Sequence, residues 1–220
     1  MERTTFATED RLVLEGDLWL PDPVAAGSAV LCHAHPRLGG SKDYPLLWAF
    51  RIELTRRDFS VLAFNFRGVM GSEGSYGGGV DEVRDVRAAV RRASQTSDGP
   101  LLVCGWSFGA NVALRACLDD DQVDGLALVG MPLAGDDAAL PPLPDVDRLR
   151  SFDRPVLLLA GSDDQYCPAA ALEALGTSFP HARVEVIPGA DHYFARRERE
   201  AGAIVGTFAV ELLSSGGTAQ

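Results

Sequence analysis

Gly105-Trp106-Ser107-Phe108-Gly109 sets a serine between two glycines, straight after the apolar run Leu101-Leu102-Val103-Cys104 and straight before Ala110-Asn111-Val112-Ala113-Leu114. A strand that turns sharply into a helix at such a serine strains its backbone and projects the hydroxyl past the sheet edge. The flanking glycines leave room where a Cβ would meet neighbouring backbone. The Phe108 N–H, at the helix start, then points to where an oxyanion would form. The five-residue pattern arises by chance in a chain with 23 glycines; its strand–turn–helix setting gives it meaning. The chemistry is nucleophilic attack by Ser107 on a carbonyl.

A serine hydroxyl attacks only when a base takes its proton. The chain has four histidines, His33, His35, His181 and His192. His192 lies in Gly189-Ala190-Asp191-His192, after the last predicted strand and before the last predicted helix, on the same sheet edge as Ser107. His181 precedes that strand, on the opposite edge, and reads as a surface residue. The third group orients the imidazole. Val156–Ala160 runs into Gly161-Ser162-Asp163-Asp164, which brings two carboxylates to the right edge. Asp164 is favoured as the acid over Asp163, which instead fixes the turn. Asp191 adjoins His192, but sequence neighbours rarely face one another. The order along the chain is Ser107, Asp164, His192.

These residues need a scaffold that brings strand ends together. Short apolar runs recur at Ala29–Cys32, Val61–Phe66, Leu101–Cys104, Leu126–Val129, Val156–Ala160 and Val184–Ile187. Unbroken apolarity over four to six residues suits parallel strands covered on both faces. Between or after them, Leu46–Arg57, Val80–Thr96, Ala110–Leu118, Ala169–Ser178 and Glu198–Leu213 are long enough for helices. Val83, Val86, Val90 and Ala93 recur at helical spacing and predict a face packed on the sheet. Ahead of them, Thr4–Ala7 and Arg11–Leu20 predict an antiparallel edge hairpin. The alternation implies a three-layer α/β fold, a mostly parallel sheet with helices on both faces and chemistry at the strands' carboxyl ends. With no repeat or linker in 220 residues, a single domain over 1–220 is expected.

Of the residues, 46% are hydrophobic and 23% charged, and 31 acidic residues against 20 basic leave a net charge of −11. That balance argues against nucleic acid and against an anionic membrane surface as partners. The longest uncharged stretch, Gly99–Leu114, spans 16 residues and is too short and polar to cross a bilayer. Cys32, Cys104, Cys117 and Cys167 show no C-x-x-C spacing and read as reduced, mostly buried thiols. With no signal-like start, the expectation is a cytoplasmic protein, monomer or homodimer.

In its elbow and triad order the chain resembles the α/β-hydrolase superfamily over nearly its whole length, and within it the small lidless bacterial hydrolases related to dienelactone hydrolase and carboxylesterases. The resemblance rests on Gly105–Gly109, on Gly161-x-x-Asp164-x-x-Cys167-Pro168 (the family usually has valine where Cys167 stands) and on Gly189-Ala190-Asp191-His192. His33-Ala34-His35-Pro36 with Gly39-Gly40, and Asn65-Phe66-Arg67-Gly68 with Gly71-Ser72-Glu73-Gly74, match as well. It implies that the loop after the first core strand supplies a second oxyanion donor. Pro36 has no N–H, so the His35 amide is the choice and Arg37 its competitor.

The function expected is a serine hydrolase cleaving small carboxylic esters through an acyl-enzyme, with no cofactor. Thioesterase, dienelactone-type lactonase or peptidase activity on the same triad, and a non-catalytic binding protein, are the alternatives. His33 and His35 at i, i+2 invite a metal, but further ligands are wanting; His33 reads instead as packed beneath its loop, bonding carbonyls. The glycine-rich stretch 68–79 has no P-loop lysine and reads as a flexible wall beside the site. The gap Gly130–Pro155 has room for one short helix and predicts no cap domain. Trp48, Met131, Leu133, Tyr166, Tyr193 and Phe194 flank strand ends and are candidate pocket residues.

Overall fold

The computed structural model describes residues 1–134 and 140–215. Its sheet holds β1 (Glu2–Ala7), β2 (Val13–Trp19), β3 (Gly27–Cys32), β4 (Phe59–Phe64), β5 (Leu101–Trp106), β6 (Gly125–Val129), β7 (Val156–Gly161) and β8 (Ala182–Ile187). They stand in the order β1-β2-β4-β3-β5-β6-β7-β8. The predicted hairpin forms one edge: β1 pairs antiparallel with β2, and β2 antiparallel with β4. All later pairs are parallel.

Alternation along each strand splits the core in two. In β5, Leu101 and Val103 face the layer of α2 (Glu82–Ala93), α3 (Phe108–Cys117) and α5 (Ala169–Gly176), whereas Leu102, Cys104 and Trp106 face α1 (Pro45–Thr55) and α6 (Glu198–Ser215). Both side-chain sets are buried in β3 to β7, which is why those strands read as apolar runs; β8, at the sheet edge, is half-buried and carries Arg183 and Glu185. Val86, Val90 and Ala93 are buried on the inner face of α2 as their spacing predicts. All four cysteines are free and buried. The segment between β6 and β7 contributes the five-residue α4 (Val146–Arg150); residues 135–139 of that segment lie outside the described residues. Among the described residues no helix is long and apolar enough to cross a membrane.

Most elements begin or end one to three residues from their predicted bounds, and two of these shifts bear on the site. β4 ends at Phe64, two residues early, because the Phe66 N–H donates to His33 Nε2 at 3.1 Å rather than to a neighbouring strand. α3 starts at Phe108, two residues early, because Ser107 already occupies its N-cap. The glycine-rich stretch is pinned rather than loose. Glu82, wholly buried, accepts the N–H groups of Gly77 (2.7 Å) and Gly79 (2.8 Å), and Arg115 holds the Gly79 carbonyl at 2.8 Å.

Two buried polar groups tie this scaffold to the loops of the carboxyl edge. Arg67 donates to Asp85 Oδ1 through Nε (2.9 Å) and Nη2 (2.7 Å), and its backbone N–H reaches Asp85 Oδ2 at 2.9 Å. Burial pushes the Asp85 carboxyl pKa up, and the guanidinium opposes that push. His33 is fully buried; its Nδ1–H donates to the Ala34 carbonyl (2.6 Å) while Nε2 accepts from Phe66. This partly meets the expectation, with one carbonyl and one amide as partners. Both nitrogens are used by a neutral ring, so neither is left to bind a metal, and burial lowers the pKa from 6.5 to about 4.

Arg67→Met strands the buried Asp85 carboxylate, so urea unfolding at pH 7 should show a loss of about 3–5 kcal/mol. His33 gives a pH signature. Between pH 6.5 and about 4 the unfolded chain binds a proton that the folded chain refuses. Its neutral ring therefore confers stability that is complete above pH 6.5 and lost as pH falls towards 4, on the order of 3 kcal/mol in all. Urea midpoints at pH 7.5 and 4.5 should fall further apart in wild type than in His33→Gln, whose amide cannot titrate.

Candidate active site

The parallel register lines up the strand ends. Cys32 pairs with Gly105, Trp106 with Val129, and Gly161 with Ile187. The residues that follow these ends therefore share one edge, as the doubly wound layout requires.

Ser107 stands at the turn between β5 and α3 with φ 57° and ψ −120°. Such a backbone costs a non-glycine residue of order 1–3 kcal/mol and persists only where its surroundings hold it. Here its N–H is fixed on the Val129 carbonyl at 2.8 Å. The two glycines of the motif are needed for contact: a Cβ at Gly105 would run into the Gly109 carbonyl, and one at Gly109 into the Cys32 and His33 carbonyls.

His192 Nε2 lies 2.9 Å from Ser107 Oγ, and Nδ1 lies 2.8 Å from Asp164 Oδ2 and 3.0 Å from Oδ1. All three residues are at most 7% exposed. The Asp164 carboxylate is held in turn by the N–H groups of Tyr166 (2.9 Å) and Cys167 (3.0 Å) on Oδ1. With Nδ1–H donated to Asp164, Nε2 accepts the serine proton, the tautomer a base requires. The competing acids point elsewhere. Asp163 is exposed and accepts the Ser162 hydroxyl, and Asp191 accepts the Tyr193 and Ala195 amides. His181 is exposed beside Asp153.

The cavity above Ser107 has a volume of about 360 Å³. The Phe108 N–H belongs to the first turn of α3, whose amides have no acceptor within the helix. His35 borders the cavity with Phe108, its ring 5.2 Å from the Phe108 ring. The Arg37 amide donates to His35 Nδ1 at 3.1 Å, so that N–H is already engaged. The His35 ring also meets the Tyr76 hydroxyl at 3.0 Å.

Of the pocket candidates, Tyr166 and Tyr193 line the cavity. Their rings pack against the His192 imidazole with centroids 4.8 and 5.5 Å away. Trp48 does not belong there. Leu47, Phe50 and Leu54 take the inner face of α1, so Trp48 points outward, 52% exposed, into a separate surface groove of about 590 Å³. Met131 and Phe194 are fully buried in the two core layers rather than at the cavity. Leu133 packs beside a smaller neighbouring cleft. Sequence reading missed Leu38, Tyr44, Pro132, Ala134 and Leu140, which line the cavity from loops without a periodic signal. It also missed Gly130, at φ 53°, where a side chain would press on Asp164 Oδ2 and the imidazole. A glycine directly after an apolar run was the available sign.

Known proteins share this fold. A serine hydrolase homologue from Coxiella burnetii superposes with a TM-score of 0.81 at 25% identity, covering 94% of this chain and 96% of its own. A Xanthomonas campestris α/β serine hydrolase without a lid gives 0.79 at 23% identity over 96% and 94%. An uncharacterised protein of Rickettsia prowazekii is 26% identical over 200 residues, 85% of this chain and 80% of its own. Residues 27–205 match the family described as alpha/beta hydrolase domain, from β3 into α6. The chain belongs to the alpha/beta hydrolase family.

Proposed function

We propose that the protein is a serine esterase acting on small, uncharged carboxylic esters through an acyl-enzyme on Ser107. The observation that carries the reading is the unbroken line of hydrogen bonds from Ser107 Oγ through His192 to Asp164, opening on the cavity. His192 takes the serine proton as Oγ attacks the ester carbonyl. The Phe108 and His35 amides receive the oxyanion. His192, steadied by Asp164, then protonates the departing alcohol and in the second half activates the water that releases the acid.

The lining supports the choice of substrate. Leu38, Tyr44, Pro132, Ala134, Leu140, Tyr166 and Tyr193 offer apolar surface and phenol groups, and among the described lining residues there is no lysine, arginine, aspartate or glutamate. A lactone bearing its own carboxylate would find no cation there, which favours neutral esters. The volume suits a short acyl chain or a single ring. The similarity to a serine hydrolase homologue is in keeping with this assignment.

Hydrolysis of p-nitrophenyl esters from two to twelve carbons should peak at short chains and fall by at least 10³-fold in Ser107→Ala. Intact-mass detection should find one fluorophosphonate adduct in wild type and none in the variant. Full turnover by Ser107→Ala would refute the assignment. Labelling without ester turnover would shift it to thioesters or peptides.

A further inference from the structure

A proton relay is only as well placed as the backbone that carries it. His192 sits on the loop leaving β8, where Gly189, Phe194 and Arg196 all have positive φ (69°, 54° and 65°). Its hydrogen bonds are partly to the loop after β7, where the Gly189 N–H donates to Ser162 Oγ at 2.8 Å and the Ala190 carbonyl accepts the Asp163 N–H at 3.0 Å, and partly internal. Asp191 Oδ1 accepts from the Tyr193 and Ala195 amides, the Phe194 N–H reaches the Asp191 carbonyl at 3.1 Å, and Arg197 Nη1 holds the Pro188 carbonyl at 2.7 Å. These bonds shape the loop and tie it to the end of β7, but none of them reaches β5, the strand that leads into Ser107.

One side chain from the nucleophile's own strand does reach the base's peptide. Trp106 Nε1–H donates to the His192 carbonyl at 3.1 Å, across 86 positions of sequence. Trp106 immediately precedes Ser107 and is 1% exposed. Strand alternation turns its indole to the α1–α6 face, beneath the histidine loop. The ring is steadied by Tyr44, at 4.5 Å between centroids. We infer that Trp106 is a positioning residue: its indole N–H locks the His192 backbone in register with the serine turn, so that nucleophile and base move as one unit. This rests on the reading of Ser107 and His192 as nucleophile and base. A phenylalanine would keep an aromatic ring but leave the buried His192 carbonyl without its donor. A displacement of about 1 Å between reacting groups is enough to cost up to 10²-fold in rate.

The test compares wild type with Trp106→Phe, with rates expressed per active site titrated by a fluorophosphonate. The expected result is a kcat lowered about tenfold and a KM within about twofold. The deficit should be the same from pH 7 to 9, because the imidazole is displaced rather than retitrated. Phe208→Leu, which thins the same core layer away from the site, should keep its per-site kcat. A Trp106→Phe kcat within twofold of wild type overturns the proposal, as does a loss confined to KM or an equal loss in Phe208→Leu. These outcomes are distinct from failure of the underlying reading, which would appear as activity retained in Ser107→Ala. If Trp106→Phe does not fold, the wild-type indole proton signals, assigned through Trp19→Phe and Trp48→Phe, decide. A Trp106 N–H that exchanges slowly with deuterium and shifts when Ser107 is phosphonylated supports the lock. One that exchanges as fast as the N–H of the half-exposed Trp48 refutes it.

Discussion

The close approach of the first turn of α3 to the ends of β3 and β5 is the contact on which the site depends. Gly109 lies so near the Cys32 and His33 carbonyls, and Gly105 so near the Gly109 carbonyl, that neither position has space for a side chain. Only with that contact can Ser107 sit at positive φ, its amide on Val129 and its hydroxyl at the edge. The strain is confined to one residue and opposed by the packing of the helix start against two strands. From there, the parallel register carries the alignment outward through β6 to the ends of β7 and β8, after which Asp164 and His192 are set.

The edge is a crowded polar region inside an otherwise apolar fold, and its polar groups meet their partners largely through the backbone. His33 bridges a carbonyl and an amide, Asp164 collects two amides besides the imidazole, and Trp106 donates to a carbonyl. Backbone partners cannot swing away as side chains can, so these groups hold single orientations. The cavity above them is different in kind: aliphatic and aromatic, without formal charge among its described lining residues, in a chain of net charge −11. The acidic surplus is carried on the surface and, at Glu82, Asp85 and Asp164, beneath the loops.

What could be read from sequence was whatever repeats or sits at a strand end. The apolar runs located β3 to β7 because burial on both faces leaves little room for polar residues; β8, half-buried at the sheet edge, was marked by Val184, Val186 and Ile187 beside charged neighbours. The elbow, Asp164 and His192 were legible because each lies in the turn that leaves such a run. The pocket was not. Trp48 and Met131 flank strand ends as Tyr166 and Tyr193 do, and only the turn of α1 and the direction taken after β6 send the first pair outward and inward. Tyr44 and Leu140 lie on loops whose course is set by tertiary contact. The indole of Trp106 was hidden in plain view, as the unspecified second position of the motif.

Glu82 carries a consequence for how this protein can change. It grips the loop before α2 by two peptide N–H groups and touches no side chain of that loop in doing so. The path it holds, which sets Tyr76 against His35 and Phe108, puts Gly68, Gly74, Gly78 and Gly79 at positive φ and leaves no room for a Cβ at Gly71 or Gly77. The glycines of this stretch are thus tied to the path that Glu82 grips, and new side chains can be tried without loosening the scaffold only at exposed non-glycine positions such as Ser75 and Val80.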